Sequence, residues 1–481
     1  MLLSFAIMRS SYHPISFAGI TALLLLSCSG VPEAKEEAGA IVDSTYLRLA
    51  EEVKQETLRS WKAYKQYAWG HDALKPLTRS AEDWYEHPLY ISPIDAYSTL
   101  KLMGFDAEAK EIEDYVVDSL SWDKDVDVKV FEVDIRILGG LLSMYELSGN
   151  PKVLAKTVDF ADRLMPAFNT PTGIPTYYVN LRTGKPSGDT VCVAEAGTNI
   201  LELGILSYYT KDPKYYAAGK RATMAVHARR SKLGLPGTDI NVQTGEWTNR
   251  NASICAGVDS YYEYLYKTWS LFGDTTIGRI WDEAIAAVNA YLPEEKDSLL
   301  WYGRVNMDTG ERTSDVITLY DAFMPAMLAL SGDFPRAERV QHTWDVIWRE
   351  HGLEPTAYDY GKREVRAGDY DLNPEIIESA YYLYHFTGRP MYREMAAQYW
   401  SDIKEHCRTD IAFTSIEDVR TMKQKDYMPT FFFAETMKYF YLVFSEGNGA
   451  FNFEEHVFNT EAHPFKRSSF VPEEVRARLN F

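Results

Sequence analysis

The sequence predicts an all-α protein built as a closed ring of seven helical hairpins. A helix-break-helix pattern recurs along the chain, its breaks are almost evenly spaced, and an acidic residue stands near the start of each helix that runs into a break. Composition permits such a ring. A chain of 481 residues with 46% hydrophobic and 25% charged side chains can bury a large core and is too apolar for disorder.

At the N-terminus Arg9 precedes an apolar stretch, Ile15 to Leu26, that is too short to span a bilayer and ends in Leu25-Leu26-Ser27-Cys28. This resembles a bacterial lipoprotein signal. The resemblance implies a signal peptide over 1–27, lipidation of Cys28, a polar tether over 28–42 and one folded domain over 43–481. An ordinary cleaved signal is the alternative. Either way the protein is expected to be exported, as a lipoprotein of the periplasm or cell surface that meets the membrane only through its anchor. Three further cysteines, Cys192, Cys255 and Cys407, lack metal-site spacing, which disfavours zinc. At most one disulfide can form, and whether Cys192 pairs with Cys255 stays open.

The hairpins follow. Tyr145-Glu-Leu-Ser-Gly-Asn-Pro-Lys152, Tyr208-Tyr-Thr-Lys-Asp-Pro-Lys-Tyr215 and Tyr384-His-Phe-Thr-Gly-Arg-Pro-Met-Tyr392 each end one helix and open the next, glycine serving as C-cap and proline as first helical residue. Aligned breaks fall at Gly104, Gly149, Lys211, Gly273, Gly332, Gly388 and Gly447, with gaps of 45, 62, 62, 59, 56 and 59 residues. Hairpins of this kind bury their apolar faces only by stacking, and seven on one chain favour closure over an open solenoid.

Asp95, Glu132, Glu195, Asp259, Asp321, Glu375 and Glu435 precede these breaks by 9 to 17 residues. The helix macrodipole alone accounts for any one of them. Seven in register would gather around one end of a central cavity, an arrangement suited to glycoside hydrolysis, with one carboxyl as acid and another as base. Oxygen ligands of this kind could also hold calcium. The net charge of −19 argues against nucleic acid or an anionic membrane surface as partner and favours a neutral ligand. Aromatic side chains, 14% of the chain, suit either a helical core or stacking on sugar rings. Nothing in the sequence requires an oligomer, so a monomer is expected.

From Trp61 to Phe465 the chain resembles glycoside hydrolase family 47, the class I α-mannosidases. The motifs are Tyr64-Lys-Gln-Tyr-Ala-Trp-Gly-His-Asp72, Phe131-Glu-Val-Asp-Ile-Arg-Ile-Leu-Gly-Gly140, Leu164-Met-Pro-Ala-Phe-Asn-Thr-Pro171, Asp259-Ser-Tyr-Tyr-Glu-Tyr264, Pro374-Glu-Ile-Ile-Glu-Ser379, Phe431-Phe-Phe-Ala-Glu-Thr436 and Val457-Phe-Asn-Thr-Glu-Ala-His-Pro464. The resemblance implies an (α/α)7 barrel, in agreement with the counted breaks. It also implies a calcium-dependent inverting exo-hydrolase removing α-1,2-linked mannose from oligosaccharides or glycoprotein glycans.

By the same resemblance Glu132 matches the general acid, Glu375 the general base and Asp259 a third catalytic acid. Arg136, four residues beyond Glu132, is spaced for a helical ion pair with it and is included in the substrate site. Glu378 and Glu435 match carboxylates that orient sugar and metal-bound water, Glu195 is expected to meet substrate, and Phe431 to offer an apolar platform. Strand-forming residues around Asn459-Thr460 predict a terminal hairpin over Glu455 to Phe465. The family uses it to plug the barrel, with Thr460 as calcium ligand and Glu461 holding waters. The outer positions depart from the family: Gly257 and Asn373 replace arginines, Leu319 a histidine and Ser98 an aspartate. Cys255-Ala-Gly-Val-Asp259 resembles the ER degradation-enhancing branch. The alternatives are an α-mannosidase of another linkage and a non-catalytic glycan-binding lipoprotein. A uronate-directed toroid enzyme would want basic side chains where this chain has acids.

Overall fold

A computed structural model describes residues 34–448 and 451–481, and of 34–43 only the helical backbone. The signal sequence, Cys28 and residues 28–33 of the tether lie outside the described residues. Residues 1–45 and Tyr46–Phe481 form two separate units, and everything below concerns the second. Among the described residues no helix is long and apolar enough to cross a membrane.

Tyr46–Phe481 is an (α/α)7 barrel. The inner helices are Ile91–Leu102, Gly139–Ser148, Ile200–Thr210, Asp259–Phe272, Met324–Leu330, Glu375–Thr387 and Met437–Ser445. Each touches the next in chain order, except that Asp259–Phe272 meets Leu319–Phe323, the turn that leads into Met324–Leu330; the turn leading into the last helix returns to the first, which closes the ring. At all seven predicted breaks the backbone is left-handed, with φ of 79° at Gly104, 67° at Gly149, 71° at Gly273, 87° at Gly332, 64° at Gly388, 84° at Gly447 and 60° even at Lys211. A left-handed residue ends a helix because its amide turns back to the last carbonyls, and Lys211 does so despite its Cβ. Outer helices then begin on Pro151 and Pro390, as the sequence predicts.

The seventh hairpin differs from the expectation. Among the described residues the α-helix after Gly447, Pro472–Leu479, packs on Ile200–Thr210 instead; the last inner helix and the turn before it are covered by residues 46–67, from the start of the chain. Tyr46 stacks on Phe444 at 6.2 Å and Trp61 meets Phe433 edge-on at 5.7 Å. Every residue of Met437–Ser445 is buried, so the helix needs an apolar cover, and a first helix supplies one only by closing the ring non-locally.

The predicted terminal hairpin is present, with His456–Phe458 pairing antiparallel to Pro464–Lys466. Its tip, Asn459 to His463, enters the barrel beside Gly139 and Gly140. A Cβ on Gly139 would lie 2.6 Å from Asn459 Nδ2, and one on Gly140 2.6 Å from Ile94 Cγ2 and 3.2 Å from His463 Nε2. Only glycine admits the tip there. Asn459 fixes it: Nδ2 donates to the Ile135 carbonyl at 3.0 Å and to Glu202 at 2.9 Å, while Oδ1 accepts from the amides of Glu461 and His463 at 3.0 and 2.8 Å.

Candidate active site

The barrel encloses a cavity of about 500 Å³ lined by residues of several inner helices and the hairpin tip. All ten residues singled out in the sequence line it: Glu132, Arg136, Glu195, Asp259, Glu375, Glu378, Phe431, Glu435, Thr460 and Glu461. Asp95 and Asp321, which the register of seven acids would place there, do not. Asp95 is fully buried behind the tip, 3.4 Å from His463 Nε2. Asp321 turns away from the cavity, accepting from Thr318 Oγ1 at 2.7 Å and Cys255 Sγ at 3.1 Å. Cys192, Cys255 and Cys407 are all free, so the pairing left open in the sequence is absent.

Two inner helices enter the cavity through a π-helical turn, Asp134–Leu138 and Phe432–Thr436. The wider turn shifts the side-chain register and lets Arg136 and Glu435 face the same space. Arg136 is the cation at the centre of the site. Its Nε donates to Glu132 Oε2 at 3.1 Å, its Nη1 pairs with Glu461, and its guanidinium lies 5.2 Å from the Trp84 ring centre and 5.6 Å from that of Phe431. The spacing that suggested a helical ion pair is therefore realised, and the same arginine ties the hairpin tip to the wall. Phe431 is half-buried and faces the cavity.

Lys129, which sequence reasoning passed over, stands 3.3 Å from Glu132 and 3.4 Å from Glu195, with Nζ 5.1 Å from the Tyr177 ring centre. Its position three residues before Glu132 was the available signal. Burial would raise the Glu132 carboxyl, but Arg136 and Lys129 together hold it below the usual carboxylate range. Asp259 and Glu375 show the opposite behaviour. Burial pushes Asp259 up to about 7, its own helix amides opposing and the charges of Asp321 and Glu263 adding. Burial, with Glu378 and Asp259 adding, pushes Glu375 up to about 8. Glu375 Oε2 is buried without a hydrogen-bond partner. The carboxyls thus divide into one kept ionised and two that hold protons toward neutrality.

Glu263 also lines the cavity, one turn beyond Asp259, and pairs with the buried Lys267, whose Nζ donates to the Asn459 carbonyl at 3.3 Å. Buried Lys438 donates to the Ala462 carbonyl and, at 3.0 Å, to Ser98. Among the described residues no three His, Cys, Asp or Glu side chains stand together as a direct metal-ligand cluster. The donors nearest the tip are oxygens. Thr460 carries a hydroxyl and a carbonyl, and around it lie Glu378, Glu435 and Glu461, each pushed upward mainly by burial and by neighbouring acids. That set fits a hard, partly hydrated cation held by threonine and water.

These shifts set the pH dependence of stability. Asp259, Glu375, Glu378, Glu202 (raised to about 7) and Asp321 (raised to about 6) bind protons more tightly folded than unfolded. The stability they lend is complete below their unfolded values, roughly pH 4, and is lost as pH rises through their folded values. In chelator the melting temperature should fall between pH 5 and 8.5, and added divalent cation should restore most at the upper end. Calorimetry showing a flat or rising trend in chelator would contradict this reading.

Paired buried carboxyls of opposed proton affinity, facing a cavity in a helical toroid, suit glycoside hydrolysis. The chain belongs to glycosyl hydrolase family 47, whose profile matches residues 56–467. It is 34% identical over 482 residues to the ER degradation-enhancing alpha-mannosidase-like protein 2 of Mus musculus, covering 93% of this chain and 82% of that one. It is 33% identical over 442 residues to mannosyl-oligosaccharide 1,2-alpha-mannosidase MNS1 of Arabidopsis thaliana, covering 86% and 78%. The solved alpha-1,2-mannosidase from Trichoderma reesei superposes with a TM-score of 0.80 at 28% identity, covering 87% of this chain and 99% of that one.

Proposed function

We propose that the protein is an inverting exo-α-mannosidase that removes terminal α-1,2-linked mannose from oligosaccharides or glycoprotein glycans. The observation that carries this reading is the convergence of Glu132, Asp259, Glu375 and the tip residue Thr460 on one cavity. The names of the relatives supply the sugar, and the residue roles follow from the family motifs.

Asp259 holds its proton to about pH 7 and is the source of the proton for the glycosidic oxygen. Glu132, kept ionised by Arg136 and Lys129, orients the water through which that proton passes. As the C1–O bond breaks, water attacks the opposite face of the ring and gives its proton to Glu375, which serves in its ionised form, the form a cation at Thr460 would favour, so the released mannose is the β-anomer. Arg136, Glu195, Glu378, Glu435 and Glu461 orient the sugar and its waters, and Phe431 offers an apolar face. A calcium ion at Thr460 would neutralise part of the buried negative charge and bind sugar hydroxyls. The site is proposed to act in a monomeric lipoprotein anchored at Cys28, on the periplasmic or cell-surface side. Gly257 and Asn373, both at the cavity, favour a second reading in which another α-mannosidic linkage is cut.

Proton NMR of α-1,2-mannobiose hydrolysis tests this directly. The first product signal should be β-mannose, and chelator should abolish it until calcium is returned. Initial α-mannose would overturn inversion, chelator-insensitive turnover the calcium role, and binding without turnover the assignment of this substrate.

A further inference from the structure

The mechanism leaves Tyr320, a large side chain of the cavity lining, without a task. Tyr320 lines the cavity and is 36% exposed, one of few large aromatic residues so open to solvent. It lies close enough to Glu375 and Asp259 for their charges to act on its phenol. Its hydroxyl makes no hydrogen bond to another described residue. An aromatic ring held in this way, beside the catalytic carboxyls yet open to water, loses apolar contact unless a ligand covers it.

Its surroundings are built. Ala256 and Gly257 line the cavity beside it, and the Ala256 amide donates to Thr318 Oγ1 at 3.3 Å, tying that segment to the one bearing Tyr320. Asp321 locks the joint, accepting from Thr318 Oγ1 and from Cys255 Sγ. Ala256 is exposed and Gly257 has no side chain, so this part of the lining is low. The joint also gives Asp321 its place in the register of acids: it acts from behind as a positioning residue.

We propose that Tyr320, in the same cavity as the low Ala256–Gly257 segment to which its own segment is tied, recognises the sugar ring of the leaving group. This rests on the hydrolase reading above and adds the determinant of what is attached to the cleaved residue. A pyranose ring over the small residues would set its C–H face on the phenol, a contact that the mannose attacked at C1 does not use.

The full chain with calcium is assayed on α-1,2-mannobiose, which carries a leaving sugar, and on α-mannosyl fluoride, which carries none. Tyr320→Ala should lower kcat/KM on mannobiose roughly three- to tenfold, mainly through KM, and leave the fluoride unchanged. Tyr320→Phe, which keeps the ring, should stay near the parent on both. Unchanged mannobiose kinetics in Tyr320→Ala overturn the proposal. So does an equal loss on both substrates, or failure of Tyr320→Phe to retain mannobiose activity, because each points to a role in the architecture of the site. A parent that hydrolyses the fluoride but not mannobiose overturns recognition of this leaving sugar while the chemistry stands. A parent that hydrolyses neither defeats the mannosidase reading itself.

Discussion

Replacing Glu375 by glutamine is expected to reduce kcat on α-1,2-mannobiose about a thousandfold while leaving the fold and sugar binding in place. Glu375 opens its inner helix, and its Oε2 is buried with no hydrogen-bond partner in the protein. A buried acceptor left free costs stability and persists where something else must occupy it; in the proposed mechanism that is the attacking water. Glutamine matches the size of the side chain but cannot take the water's proton, and loss of a positioned general base costs roughly 10²- to 10⁴-fold. The variant should also be no less stable than the parent above pH 8. There Glu375 is ionised in a site that burial and the charges of Glu378 and Asp259 make unfavourable. Steady-state kinetics, mannobiose calorimetry and thermal melts separate the outcomes. Retained turnover would remove Glu375 from the chemistry; lost binding together with a lower melting temperature would make its role structural.

The ring was legible because its punctuation is local. Left-handed breaks and helix-opening prolines are decided by one or two residues each, and even Lys211 could be aligned by its neighbours Asp212 and Pro213. The terminal hairpin was legible for the same reason. What the sequence could not show is set by non-local packing. The cover for Met437–Ser445 comes from the other end of the chain, and no periodicity announces that partner. The register of acids brought five of the seven to one cavity, although only Asp95, Asp259 and Glu375 lie within the inner helices and the other four in short turns before them, and it was wrong about direction for two. Asp95 and Asp321 share the spacing of the others but face His463 and Cys255, because spacing along the chain does not fix which way a side chain near a helix start turns. Tyr320 carried no such signal. In a chain this rich in aromatic residues an isolated tyrosine reads as core, and only its exposure within the cavity distinguishes it.

Arg136→Met is the substitution expected to cost most in stability, by about 3–5 kcal/mol, the range for leaving a buried charge without its partner. Arg136 answers two carboxylates, Glu132 and Glu461, and Glu461 is only 2% exposed. Burial opposes the charge of the guanidinium, but those two acids keep it firmly protonated. Surface pairs such as Lys101 with Asp106 are worth far less, because water already solvates both partners. Methionine keeps much of the volume and the contact with Trp84 and Phe431, so the loss is one of charge. Glu461 can then only be buried ionised or take up a proton, so destabilisation should be smaller near pH 5 and grow as pH rises. Adding Glu461→Gln should recover part of the melting temperature, a coupling a double-mutant cycle measures. It should not recover activity, because Glu132 then keeps only Lys129 as its cation and its proton affinity rises. A single variant that melts like the parent at pH 8 would show that the hairpin tip is held by Asn459, Lys267 and Lys438 without the arginine.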